Sequence, residues 1–448
     1  MILGASPWVG IGAFAAGVMA LIGTLTILRR TTSLSAETIR KLFHLGGGAT
    51  ALALPWLFDS LWPVALLAGI SALLFLALRV VPRLREGPGQ VLQSVTRQSI
   101  GEFSFLLGVL AIFAIAFDDV VIYSIGILVL AVADTAAALV GVFYGQHAYV
   151  VPGGKKSGEG SSAFLLTAFL CTHVPLLLFT ETGRLESLLI AFNAAVLLML
   201  AEADAARGID NFILPVLVVV LLELFIDMPV FELAANGAVI IALGVLVFAY
   251  RNRTTLSPDA LIGAALAGYL FWLFGGWRWM LPPLILFATY TKLVGRPPLE
   301  DSRPFHADVL LAIVAPGVLL ATLNAVLQLP TLYAPYVAVW AANLAVIGTL
   351  HGWLANPAAP NLRLMLINGA RSLVVLIPGL GVTDALRVHD PVAGLCAILL
   401  ALLLILGAKK RLVAAPTSAA AWSRVTLSVT SGALASFTIF GVLQEVLA

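Results

Sequence analysis

Charge is what this sequence has least of. Only 11% of its 448 residues are Asp, Glu, Lys or Arg, against roughly 25% in a soluble globular domain. With 61% hydrophobic residues and a mean hydropathy of +1.04, that deficit excludes a soluble enzyme and leaves a polytopic membrane protein. Cysteine is also scarce. Cys171 and Cys396 both fall inside apolar runs, which argues against a disulfide framework or a zinc site. The 6 histidines are scattered, and no HExxH, Ser-His-Asp or Cys/His grouping is present. The net charge of +2 selects no partner. No soluble domain interrupts the short loops, so any site must be built from helix ends and the interior of the bundle.

What is present is a long series of apolar runs. They lie near 8–28, 43–58, 61–79, 99–117, 120–145, 161–179, 185–203, 211–227, 231–250, 257–275, 278–294, 307–327, 334–354, 369–387, 391–408 and 421–447. A span takes about 17–25 residues, so an all-α bundle of fourteen to sixteen spans is expected. Of the 25 Lys and Arg, 22 fall in alternate loops, and only Arg184, Arg278 and Arg387 fall in the others. The positive-inside rule then puts the N-terminus outside and residues 29–42 in the cytoplasm. A composition seam at 251–256 separates two halves, and the expected domains are 1–228 and 229–448.

Five polar groups in the first half map to the cytoplasmic side. Arg40, Lys41 and His44 share one helix face, followed by Gly46-Gly47-Gly48, a triplet suited to close approach of a backbone or ligand. Gly101-Glu102 opens the fourth run just after Arg97. Asp134 lies within a run of span length, with Ala138, Gly141 and Gly145 on its stripe. A carboxylate inside a span marks a functional site by default, whereas small residues along a stripe serve helix packing. A loop from Gly153 to Ser162 carries Lys155, Lys156, Ser157, Glu159 and Ser161 and leads into the next run. It lacks Walker A spacing, but flexible N–H groups, two ammoniums and a helix start suit a polyanion. Glu202, Asp204, Arg207, Asp210 and Asn211 form an acidic turn, and hard cations such as Mg²⁺ take oxygen ligands of this kind. Together the five groups predict chemistry on a phosphate at a membrane surface.

The motifs resemble those of the CTP-dependent polyprenol kinases (phytol, farnesol and dolichol kinases), which are similar to the membrane CDP-diacylglycerol synthases. The matching residues are R-K-x-x-H (Arg40, Lys41, His44), G-E (Gly101, Glu102), D-T-A-A with G-x3-G (Asp134, Thr135, Gly141, Gly145), K-K-S-x-E-G-S (Lys155 to Ser161) and D-N-x3-P (Asp210, Asn211, Pro215). They keep order and spacing over 37–216, about 40% of the chain. The resemblance implies a kinase that moves the γ-phosphate of CTP to an isoprenoid alcohol in the inner or plasma membrane of a prokaryote. Nucleic acid is not an expected partner.

On that resemblance Asp134, with Glu202 or Asp210, would hold Mg²⁺ on the nucleotide. Lys155 and Lys156 would cradle the triphosphate with Gly154, Ser157, Glu159, Gly160 and Ser161, while Gly141 and Gly145 would border it. Arg40 or Lys41 would steady the transferred group, and His44 or Glu102 would accept the alcohol proton. The prenol tail would lie between spans two, four and five. A cytidylyltransferase and a transporter are the alternative readings. The second half resembles the phytyl-phosphate kinases at L-S-P-D-A-L-I-G-A-A-L-A-G (256–268), G-G-W-R-W (275–279) and Thr291-Lys292-Leu293. Asn343 stands near that family's acidic position, so this half is expected to be degenerate as a kinase.

Overall fold

The computed structural model describes residues 6–81, 100–151, 154–204, 208–294, 305–382, 387 and 389–447. Three residues discussed above, Arg97, Gly153 and Arg207, lie outside the described residues, as does the side chain of Asp204. The chain divides into two compact units, Met1–Ala238 and Val239–Ala448.

The first unit is a bundle of α1 (Pro7–Thr31), α2 (Ala36–Leu52), α3 (Leu61–Val80), α4 (Gly101–Ala116), α5 (Val120–Leu128) and α6 (Asp134–Tyr144). After a two-stranded hairpin, β1 (Ala148–Val151) and β2 (Gly154–Ser157), come α7 (Gly158–Phe179), α8 (Arg184–Asp204) and α9 (Asp210–Phe225). The division between the units falls inside α10 (Val230–Tyr250). In the second unit α11 (Pro258–Thr289), α12 (Ala307–Leu327), α14 (Asn361–Gly381), α15 (Asp390–Ala414) and α16 (Ala419–Leu447) surround α13 (Tyr333–Ala355). Nearly all of α13 is buried, and its Tyr336 and Trp340 pack edge-on and tilted against Phe271 and Trp279 of α11.

Among the described residues 11 helices are long and apolar enough to cross a bilayer, which makes this a multi-pass membrane protein. That count is below the fourteen to sixteen expected, for identifiable reasons. Helices α2, α4 and α9 have 17, 16 and 16 residues, so at 1.5 Å per residue the shorter two reach about 24 Å, less than the hydrocarbon core of about 30 Å. The runs at 257–275 and 278–294 are two helical segments that meet at a kink at Gly276 (φ 70), and they count together as one candidate. Helix α16 is not among the candidates.

Each glycine of the 46–48 triplet faces a different helix. A Cβ on Gly46 would meet Leu21 of α1, one on Gly47 the Phe105 ring of α4, and one on Gly48 would come within 2.3 Å of the Ala131 Cβ. Helix α2 therefore packs directly on its neighbours at this level. The expected prenol path between spans two, four and five is filled by protein there. Side-chain bonds lock the same elements: Tyr123 on α5 donates to the Ala51 carbonyl of α2 (2.9 Å), and the Asn211 amide on α9 to the Gly101 carbonyl of α4 (2.9 Å).

Candidate active site

The site begins where α5 meets α6. Residues Val129–Ala133 form a π-helical turn, a feature that recurs at functional sites because it re-aims the residues that follow it. Asp134 is the first residue beyond the turn and is buried. Helix α2 faces it, started by the Ser35 hydroxyl, which accepts the Thr38 N–H. Lys41 Nζ lies 2.6 Å from Asp134 Oδ2, and His44 Nε2 lies 3.3 Å from the same oxygen. Lys41 is only 4% exposed and Asp134 8%. A lone charge so placed is costly, and the pair is how the bundle tolerates both. His44 Nε2 also stands 2.8 Å from the Leu130 carbonyl. A carbonyl can only accept, so Nε2 carries hydrogen and any lone pair for a substrate proton is on Nδ1. His44 in this arrangement orients Asp134.

The predicted flexible loop is largely ordered. Its two strands pair antiparallel, with Tyr149 opposite Lys156 and Val150 opposite Lys155. Ser157 caps α7 by accepting the Gly160 N–H (3.1 Å). Successive strand residues point to opposite faces, so the two lysines leave β2 in opposite directions. Lys156 turns inward, its Nζ 2.8 Å from Glu202 Oε1 on α8 and bonded to the Glu202 carbonyl as well. Lys155 is exposed and pairs with no carboxylate among the described residues.

The two ion pairs form one electrostatic group. Glu202 feels the charges of Lys156, Asp134 and Asp210, Asp210 those of Asp134, Lys156 and Lys41, and Arg40 acts on both His44 and Asp134. Lys41, His44 and Asp134 meet directly, Lys156 meets Glu202, and Arg40 and Asp210 stand within electrostatic reach of these groups. Glu102 stands at the edge of this group. It pairs with Arg79 of α3 at 3.3 Å, and Phe105, one turn on, packs its ring against His44 at 5.2 Å.

Other expected nucleotide contacts are engaged within the protein. Glu159 grips His147 at 2.6 Å, and Ser161 bonds the Tyr149 hydroxyl at 2.7 Å. Gly141, Gly145 and Gly160 let α6 approach the start of α7. A Cβ on Gly160 would come within 2.9 Å of the Ala137 carbonyl, and one on Gly145 within 2.9 Å of Ser157 Oγ. Gly154 begins β2. These residues shape and hold the hairpin that carries Lys156.

Tyr149 escaped the sequence reading. Tyr149 lies beside Lys156 and Glu202. Burial pushes its phenol above the ordinary value and Glu202 adds to the rise, while the Ser161 bond and Lys156 pull it down. Thr135, next to Asp134, keeps a buried hydroxyl with no hydrogen-bond partner among the described residues. Thr172, Thr322, Thr349 and Thr426, by contrast, give theirs to the carbonyl four residues back. An unpaired buried hydroxyl costs about 1–3 kcal/mol. Thr135→Val is therefore expected to raise the stability of the ligand-free protein by about 1 kcal/mol, read from denaturant unfolding in detergent. An unchanged midpoint would mean that the hydroxyl has a partner.

The phytol kinase of Synechocystis sp. (strain ATCC 27184 / PCC 6803 / Kazusa) is 33% identical over 214 residues, covering 88% of that protein and 46% of this chain. The chain belongs to the phytol kinase family. No family model matches the chain, and no solved structure matches it. More than half of the chain lies outside the match.

Proposed function

We propose that the chain is a membrane lipid kinase that transfers the γ-phosphate of CTP to the hydroxyl of an isoprenoid alcohol such as phytol, farnesol or dolichol. The observation that carries this reading is the convergence of Lys41, His44 and Asp134 with Lys156, Glu202 and Asp210 beside family membership. A water-soluble triphosphate and a membrane-dissolved alcohol meet most simply at a bundle end, and the basic loops favour the cytoplasmic one.

Among the described residues no three His, Cys, Asp or Glu side chains form a ready metal cage. Mg²⁺ does not need one, because it keeps several waters and binds through one or two carboxylates plus substrate phosphates. Asp134, Glu202 and Asp210 fit that role. The ion would neutralise charge on the nucleotide's phosphates. Lys41 and Lys156 now neutralise carboxylates, and on nucleotide binding they would turn to phosphate oxygens, with Arg40 steadying the transferred group. Glu102, at the edge of the group, is the residue we assign as base for the alcohol. The second unit, with Asn343 buried on α13, serves as scaffold or lipid contact in this reading.

Incubation of purified protein with Mg²⁺, isoprenoid alcohols and CTP labelled at either the α- or γ-phosphate tests the proposal. The γ label should appear in lipid monophosphate. Transfer of the α label would identify a cytidylyltransferase instead.

A further inference from the structure

The hairpin that carries Lys156 is too small to hold itself. Its strands have 4 residues each, and an isolated two-stranded ribbon is marginal in water. It is fastened instead to the start of α7. The Gly158 N–H donates to the His147 carbonyl (3.0 Å), and Glu159 grips His147 on the exposed side. The inner face has a different fastening. Tyr149 stands directly opposite Lys156, so both side chains leave the same face of the ribbon. The Tyr149 hydroxyl lies 2.7 Å from Ser161 Oγ, in the first turn of α7. The ring is therefore fixed at both ends, by β1 at its Cα and by α7 at its oxygen. Directly opposed residues have Cβ atoms about 4.5–5.5 Å apart, so this fixed ring walls one side of the Lys156 stem. Among the described residues the Lys156 ammonium bonds only to Glu202. Burial and the nearby Glu202 carboxylate keep the phenol protonated, so it brings no second negative charge to compete for that ammonium.

We propose that Tyr149 is a positioning residue for phosphoryl transfer: anchored on Ser161, its ring holds Lys156 on the line from β2 to Glu202, from which the ammonium turns to a phosphate oxygen of the nucleotide. The inference rests on the kinase reading above and names the group that aims the lysine. A lysine is a point charge on a flexible four-carbon stem, and without a wall its ammonium is spread over many positions. The Tyr149 hydroxyl is engaged with Ser161, so the residue acts on the nucleotide only through Lys156. Tyr149, Ser161 and Glu202 thus bring β1, α7 and α8 to bear on one side chain of β2.

Competitive acetylation of the lysines with acetic anhydride, read by peptide mass spectrometry on the ligand-free full chain in detergent, measures this placement without turnover. In the wild type Lys156 should react more slowly than the exposed Lys155. Tyr149→Phe keeps the ring and loses the anchor, and should speed Lys156 by about 2–10-fold, the worth of one hydrogen bond. Tyr149→Ala should speed it further. Lys41 on α2, buried, controls for general loosening, and its rate should hold in both variants. Lys156 as reactive as Lys155 in the wild type, an unchanged Lys156 rate in the variants, or Lys41 accelerated in step with it would overturn the proposal. In turnover, Tyr149→Ala should lower kcat/KM for CTP about 100-fold, the cost of a misplacement of about 1 Å, and leave the KM for the prenol unchanged. In a Lys156→Met background the same substitution should change little, because its effect runs through the lysine. Losses that multiply independently would make Tyr149 a structural residue only. Wild-type protein that phosphorylates no prenol would sink the kinase reading separately, while acetylation still decides whether Tyr149 aims Lys156.

Discussion

Asp134→Asn should abolish phosphoryl transfer and also cost the protein stability. The substitution removes the charge that Lys41 neutralises at 2.6 Å while leaving that lysine 4% exposed. Breaking a buried pair by deleting one partner costs about 3–5 kcal/mol, and the Asn carbonyl, which still accepts a hydrogen bond, keeps the loss near the lower end. Lost activity in the single variant could therefore be blamed on unfolding. The double variant Asp134→Asn/Lys41→Met separates the two. With both charges gone the stability should largely return, because replacing a whole buried pair by apolar atoms is close to neutral. Activity should stay absent. Unfolding midpoints in detergent and label transfer from γ-labelled CTP, measured on all three proteins, check this. Normal turnover by either variant would remove Asp134 from the chemistry.

The two adjacent lysines should behave very differently. Lys156→Met strips Glu202 of its ammonium and removes one of the charges available to the phosphates. A fall in kcat of about 100–1,000-fold is expected, the scale of losing one electrostatic stabiliser. Lys155→Met should change kcat by no more than about fivefold, since an exposed charge contributes about 1 kcal/mol or less. Any effect of Lys155 should fade with added salt, because exposed charges are screened. Parallel initial-rate measurements at two ionic strengths decide it. Equal losses from the two variants would mean that both lysines reach the nucleotide and that the strand alternation is lost in the working enzyme.

The lysine asymmetry shows where sequence reading succeeded and where it stopped. Asp134, Lys156 and Glu202 were legible as improbable polar residues at the ends and interior of apolar runs, and their convergence was legible from motif order. The hairpin was legible in principle. A-Y-V-V-P-G-G-K-K-S places short strand-like runs on either side of a Pro-Gly turn, yet its glycines suggest flexible loop. Reading it as a hairpin would have put Lys155 and Lys156 on opposite faces at once and brought Tyr149 beside Lys156. The roles of Gly141, Gly145 and Gly160 were open, because a glycine that admits a phosphate and one that admits a neighbouring helix look the same in one dimension. The π-turn left no trace in V-L-A-V-A, and neither did the stranded hydroxyl of Thr135 that follows it. The lower number of long apolar helices reflects the short runs of α4 and α9 and the kink at Gly276, where the two runs read from the sequence meet.

The order of partners along the chain bears on how the bundle is made. In both buried ion pairs the lysine is synthesised first: Lys41 precedes Asp134 by 93 residues, and Lys156 precedes Glu202 by 46. A long lysine stem can reach the headgroups while it waits, which a short aspartate cannot do. Each acid thus follows its counter-ion in the order of synthesis.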